Sequence, residues 1–311
     1  MHEYEYLNSS PSLTIKIGGQ IIGIYFKDGS DCIIPFCRSI FRQFIVAGET
    51  GERKLEVCML PRGGKELFGV PEDRVEPIEF AFTSEQLTAW IGKNRKPSDD
   101  IRINNESMGI QSLSGLLIFT PENTCGKVYL PGNDRHPYRS LYRLFWIYFA
   151  QVLGETGGCF LHAASMAKEG KGFVFIGGSG AGKSTLARLT NGGEVLSDEA
   201  PVISQFGKEP RVFPSPYHQM DIEHSFGKSL VMSGVPIESL CFIVKDEDTF
   251  IEPVSRRDAV AMIMARSIIF FSYVTYSARA KIFDLFYRTC HKLPINCLHY
   301  AMKTDVWEVL R

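Results

Sequence analysis

The chain has 311 residues, 44% of them hydrophobic, and carries 34 Lys plus Arg against 35 Asp plus Glu for a formal net charge of -1. That length and apolar content build one large or two medium packed domains, with two favoured. The even charge balance excludes a basic nucleic-acid coat and a polybasic membrane anchor, so neither nucleic acid nor membrane is an expected partner.

From Ser12 to about Leu130 short apolar runs alternate with turns. Leu13-Thr14-Ile15-Lys16-Ile17 passes through Gly18-Gly19 into Ile21 to Phe26, a hairpin pattern. Further strands are predicted at Phe41 to Val46, Leu55 to Leu60, Ile78 to Phe82 and Leu116 to Phe119, and Thr83-Ser84-Glu85-Gln86 opens a helix running to about Lys93. No catalytic constellation stands out here. Residues 1–133 are expected to form a mostly β accessory or partner-binding domain, bounded by the turn formers between Pro131 and Pro137.

Residues 134–311 are expected to form the second domain. Tyr138 to Leu153 is apolar nearly all round, the pattern of a helix buried on most faces, and Gly154 to Gly158 ends it. Cys159 to Ala167, the turn Lys168-Glu169-Gly170-Lys171 and Phe173-Val174-Phe175-Ile176 make a second hairpin. It leads into Gly177-Gly178-Ser179-Gly180-Ala181-Gly182-Lys183-Ser184-Thr185, and a short helix to Leu189 follows, closed by Asn191-Gly192-Gly193. Strands are predicted at Glu194 to Asp198, Pro201 to Ser204, Arg211 to Phe213, Leu240 to Val244, Phe250 to Val254 and Ile295 to Tyr300. Helices are predicted from about Arg257 and Ser277, with a short one at the C-terminus. Ala259 to Tyr276 is apolar, but Arg266 in its middle makes it a buried core helix and not a membrane span. The eight cysteines are scattered, several inside apolar runs, and Met1-His2-Glu3-Tyr4 opens no leader pattern; a cytoplasmic protein is expected.

The segment 177–185 fits G-x-x-x-x-G-K-[ST] between a predicted strand and a predicted helix, the setting that pattern needs to bind a nucleotide. Backbone N–H groups turned into a concave loop compensate a desolvated polyphosphate, and glycine permits the tight curl. Gly177 through Thr185 are thus the candidate nucleotide-binding residues. Lys183 is expected to reach the β- and γ-phosphates and Ser184 to ligate Mg²⁺. ATP and Mg²⁺ are the expected cofactors, with GTP not distinguished. Phosphoryl transfer also needs an acceptor for the hydroxyl proton. Asp198, fifteen positions beyond Lys183 at a strand end, is the candidate base, and Asp198 with Glu199 and Ser184 the candidate metal set. His162, on the hairpin strand before the loop, is either a catalytic residue or a hydrogen-bonded core histidine.

A strand bearing His162, a hairpin, the glycine-rich loop, a short helix and then Ser197-Asp198-Glu199 resemble the HPr kinase/phosphorylase superfamily, related to ATP-dependent phosphoenolpyruvate carboxykinase. The resemblance spans roughly residues 159–220 by motif and the remainder to 311 by layout. It implies an α/β fold, with an α+β N-terminal domain and a P-loop domain on a mixed sheet. It also implies catalytic roles for His162, Lys183 and Asp198, and metal contacts from Asp198 and Glu199. True HPr kinases typically carry His-Gly and Asp-Asp where this chain has His162-Ala163 and Asp198-Glu199, and the segment tied to their phosphorylase activity has no counterpart, so HPr is not the expected substrate. Tyr217 and His218, in Val212-Phe213-Pro214-Ser215-Pro216-Tyr217-His218, resemble a loop that in such proteins follows the acidic strand. They are either substrate-facing or part of a stiffened surface loop. The expected activity is a serine kinase acting on a protein or peptide, with a small-molecule hydroxyl as a further acceptor class and homo-oligomers allowed. The alternative is a nucleotide-binding regulatory or assembly protein without phosphotransfer.

Overall fold

The computed structural model describes residues 12–27, 29–49, 51, 53–60, 79–82, 108–112, 115–120, 125–131, 137–189, 192–207, 209–217, 228–301 and 305–310. The chain divides into two compact units, residues 1–15 with 21–148 and residues 16–20 with 149–311. Both the helix expected from Thr83 and the turn-forming segment 132–136 lie outside the described residues.

In the first unit the strands are β1 (Leu13–Ile17), β2 (Gln20–Phe26), β3 (Arg53–Leu60), β4 (Glu79–Phe82), β5 (Met108–Ser112), β6 (Gly115–Thr120) and β7 (Cys125–Pro131). Among the described residues they form one sheet in the order β1-β2-β3-β7-β6-β5-β4. It is mixed: β3 runs parallel to β2 and β7, while along β7-β6-β5-β4 each strand is antiparallel to the next. Strand periodicity explains its buried face, since Leu13, Ile15 and Ile17 are buried while Thr14 and Lys16 between them are partly exposed. The turn between β1 and β2 uses Gly18 and Gly19 at φ 57 and 83, a backbone that suits a two-residue hairpin.

The strand expected at Phe41 to Val46 is not present. Instead α1 (Ile34–Ile40) opens with Pro35 in its first turn and runs on into turns: the Phe41 N–H bonds to the Cys37 carbonyl and the Phe44 N–H to the Phe41 carbonyl. Only Ile45 bridges to a strand residue, Ile15. Phe41 and Phe44 are three apart and both buried, a spacing that suits a turn of helix better than a strand face.

The second unit holds β8 (Cys159–Phe160), β9 (Ala163–Lys168), β10 (Lys171–Ile176), β11 (Glu194–Ser197), β12 (Val202–Phe206), β13 (Glu209–Phe213), β14 (Val235–Lys245), β15 (Phe250–Pro253) and β16 (Ile295–Tyr300). Its helices are α2 (Pro137–Glu155), which crosses the divide, α3 (Lys183–Leu189), α4 (Lys228–Ser233), α5 (Arg256–Arg266) and α6 (Tyr276–Lys292). The strand path is β11-β9-β10-β14-β13-β12-β8, with β16 beside β14 and β15 beside β16. The sheet is again mixed: β10 pairs antiparallel with β9 but parallel with β14. The chain is therefore an α/β protein with mixed sheets. Ala259 to Tyr276, expected as one buried helix, is broken. α5 stops at Arg266, Phe270 takes φ 58, and α6 starts at Tyr276. Much of α5 faces solvent, because only Ala259, Val260 and Ile263 of its apolar residues are buried. Among the described residues no helix is long and apolar enough to cross a membrane.

One hydrophobic cluster seats α3 on the sheet. Ala164 and Met166 of β9, Phe173 and Phe175 of β10, and Cys241 and Ile243 of β14 pack with Leu186 and Ala187 of α3 and with Trp307. Each large apolar side chain buried there contributes about 1.5–3 kcal/mol. Cysteines in the interior act as small hydrophobes: burial pushes the Cys37 thiol up to about 12 and those of Cys241 and Cys290 to about 11.

Packing around Gly172 of β10 leaves no room for a side chain, since a Cβ there would stand 2.5 Å from Val212 Cγ1 and 3.1 Å from the Pro236 carbonyl. Gly172→Ala is expected to destabilise the fold by about 1–3 kcal/mol, measured as a lower urea midpoint at unchanged slope. An unchanged midpoint would show that β13 and β14 relax freely around β10.

Candidate functional site

Strand register brings the candidate residues to one end of the second sheet. Ile176, the last residue of β10, pairs with Ala163, the first of β9, and Ser197 at the end of β11 pairs with Ser165 of β9. The chain beyond β11 folds back along the same edge: the Ala163 N–H donates to the Glu199 carbonyl at 3.1 Å and the Leu161 N–H to the Pro201 carbonyl at 3.0 Å. The start of β9, the end of β10 and the end of β11 therefore sit side by side. They carry His162, the glycine-rich loop and Asp198-Glu199 respectively.

The loop curls as its composition demands. Gly180 and Gly182 take φ 76 and 99, values that side-chain-bearing residues rarely adopt. At Gly177 the reason is contact instead, because a Cβ would lie 2.8 Å from the Ala181 Cβ. Open space surrounds Gly178, so the protein itself imposes no glycine there. Gly178, Ser179 and Gly180 are exposed, and Ser184 and Thr185 are half-buried on the first turn of α3.

Lys183 is 8% exposed and its ammonium is surrounded by acceptors. It donates to the carbonyls of Gly177 at 2.8 Å and Gly178 at 3.0 Å, and stands 3.1 Å from His162 Nε2. An ammonium has only donors to offer, so Nε2 accepts and the His162 proton sits on Nδ1. That requires a neutral imidazole, which the surroundings favour. Burial first and the Lys183 charge second hold His162 below its ordinary range. Burial also lowers Lys183, opposed by the charge of Glu199. The backbone of His162 is fixed as well, its N–H donating to the Ser267 carbonyl at 2.6 Å. His162 is thus both hydrogen-bonded structure and part of the site.

Asp198 is buried to 1% exposure, both carboxylate oxygens included, so it meets a substrate or metal only when the residues covering it move, and Glu199 is half-buried. Ser197, which the motif reading passed over, shapes this turn. Its Oγ accepts from the Ala200 N–H at 3.0 Å and from the Glu199 N–H at 3.4 Å. A serine ahead of two acids at a strand end is the sequence signal for such a turn. Among the described residues no cluster of three or more His, Cys, Asp or Glu side chains is disposed to hold a metal by itself. The oxygen donors of Ser184, Asp198 and Glu199 suit a hard cation such as Mg²⁺, which needs few protein ligands because it keeps water and phosphate oxygens. The open face over Gly178 and Gly180 likewise fits phosphate oxygens.

Tyr217 has no surface to offer an acceptor. It is wholly buried, edge-on to Phe160 at 5.3 Å between ring centroids, and its N–H is held by Ser215 Oγ at 3.2 Å. A tyrosine following two prolines suggests an exposed loop, but its ring fills an interior gap beside β8. His218 lies outside the described residues.

Residues 140–311 match the family model described as SynChlorMet cassette protein ScmC, more than half of the chain. No curated protein matches.

The His162 environment makes a testable prediction. In Lys183→Met the neighbouring charge disappears and the burial remains, so His162 should titrate higher than in the parent yet still below 6.5, as read by NMR pH titration. Because the folded value lies below the unfolded one, His162 contributes stability that is present above about pH 6.5 and is lost as pH falls through its folded pKa. Identical His162 titrations in parent and variant would remove Lys183 as a cause.

Proposed function

The chain belongs to the ScmC family, and we propose that it is an ATP- and Mg²⁺-dependent kinase that phosphorylates a hydroxyl, that of a serine in a protein or peptide. The observation that carries this reading is the convergence at one sheet end of Lys183, His162 and the Asp198-Glu199 turn, tied together by the 3.1 Å contact of Lys183 with His162 and the 3.1 Å bond from Ala163 to Glu199. A loop with an open face, a lysine at its base and an acidic turn beside it offer what phosphoryl transfer asks of a protein, namely positioned charge and a proton acceptor.

In this reading the loop and Lys183 bind the polyphosphate, and Ser184, Asp198 and Glu199 hold Mg²⁺, which neutralises charge on the phosphoryl oxygens. The acceptor hydroxyl oxygen forms a bond to the γ-phosphorus, the bond to the bridging oxygen breaks, ADP leaves, and the hydroxyl proton passes to Asp198. His162 holds Lys183 in place by accepting from it. Support from outside the site comes from the resemblance to HPr-kinase-like proteins and from the family's description as a cassette protein. A cassette protein suggests an acceptor encoded alongside it. A cytoplasmic setting, where ATP is abundant and thiols stay reduced, fits the buried cysteines.

The rival reading is a nucleotide-binding regulatory or assembly protein without phosphotransfer. Both readings require a phosphate to displace the loop carbonyls or His162 from Lys183, so they part only at the transfer step. Asp198→Asn separates the two. For a kinase, ATP affinity should persist while transfer from γ-labelled ATP to proteins and peptides of the same cassette falls by about 10²–10⁴-fold. Retained ATP affinity also reports that the variant folds. Transfer at the parent rate would remove Asp198 as the proton acceptor, and label passing only to water in the parent protein would overturn the kinase assignment.

A further inference from the structure

The face of the sheet that packs on α3 does not end with the hydrophobic cluster. Side chains alternate along a strand, so residues 241, 243 and 245 of β14 share one face. Cys241 and Ile243 lie in the cluster with Leu186 and Ala187 of α3. Lys245 is the next residue on that face and the last of the strand, and it is exposed. Because β14 runs parallel to β10, with Phe242 opposite Ile176, its last residues continue past the point where β10 gives way to the loop. Ile243 accordingly lies beside the loop's first residue, its Cβ 3.6 Å from where a Cβ on Gly177 would stand. Lys245 extends to the loop's other end, its Cε 4.0 Å from the corresponding position on Gly182.

We propose that Lys245 is a second phosphate-binding cation of the glycine-rich loop, engaging the polyphosphate of a bound nucleotide. This rests on the reading of that loop as a nucleotide site. Lys183 spends its donors on Gly177, Gly178 and His162 at the base of the loop, whereas Lys245 approaches from the neighbouring strand as an exposed residue. The acid next to it in sequence is committed elsewhere: Asp246 Oδ2 lies 2.8 Å from His299 Nδ1 and Oδ1 accepts from the Glu247 N–H at 2.7 Å. Strand direction also matters. Asp246 begins the turn after β14, and its N–H bonds to the Tyr300 carbonyl, which draws it toward β16 and leaves Lys245 on the loop side. Glycine at position 182 keeps the approach open, since no side chain stands between Lys245 and the loop backbone.

The test is nucleotide binding to the full chain in Mg²⁺-containing buffer, with ATP and AMP titrated into the parent, Lys245→Ala, Lys245→Arg and Lys183→Ala proteins. Lys245→Ala should weaken ATP about tenfold, the loss of one charge-assisted contact, with AMP affinity unchanged and a shallower salt dependence for ATP. Lys245→Arg should recover most of the loss, and thermal unfolding of both Lys245 variants should match the parent because the side chain is exposed. If Lys183→Ala weakens ATP while Lys245→Ala binds it as the parent does, the role of Lys245 is refuted and the loop remains a nucleotide site. Equal losses for ATP and AMP would refute contact with the polyphosphate. A parent protein that binds no nucleotide would overturn both readings together.

Discussion

The ammonium of Lys183, held between two loop carbonyls and an imidazole, is the contact on which the rest of the site depends. A buried cation is costly unless its donors are matched, and here three acceptors arrive from two chain segments. Gly177 and Gly178 come from the residues directly after β10, so the loop has to curl back over its own entry. His162 comes from the short break between β8 and β9, so β9 has to start where β10 stops. The imidazole has to stay neutral to accept, and its burial keeps it so. The charge of Glu199 reaches Lys183 and partly offsets the cost of burying it.

β9 is the strand that makes this arrangement. It pairs antiparallel with both β10 and β11, so the loop that leaves β10 and the acidic turn that leaves β11 emerge on the same side, with His162 between them at the start of β9. β14 adds a parallel neighbour on the other flank of β10 and carries its own chain end past the loop. The helix after the loop is only seven residues long, too short to be stable alone, and it is held by the cluster it shares with β9, β10 and β14. The backbone of the glycine-rich loop is thus supported by packing from three strands.

Much of this was legible locally. Gly18-Gly19 and Glu169-Gly170 mark two-residue hairpin turns because their positions need positive φ, and both occur as the sequence suggests. The strand before the loop, the short helix after it and the strand with its acidic end follow from apolar runs bounded by glycine. Other elements had no such punctuation. α1 and the turns after it carry an apolar run, Phe41 to Val46, whose period is ambiguous over six residues, and packing of Phe41 and Phe44 decided for turns. α4 is a single short helix preceded by residues outside the described set, and β5 carries a weak apolar signal. Tyr217 is not legible locally because the prolines before it advertise a surface loop, while its burial depends on Phe160, 57 positions earlier in the chain.

By itself the amino-acid sequence determined the chemistry available: the glycine curl, the lysine and hydroxyl that follow it, the histidine ahead and the acids behind. Each is written in contiguous residues, because turn geometry and strand period are local properties. Tertiary structure alone decided which of them meet. Pairing register set His162 against Lys183 and brought the Glu199 backbone to Ala163, and the parallel run of β14 carried Lys245 to Gly182. Register and strand direction are settled by packing among segments far apart in the chain, and no window of neighbouring residues contains them.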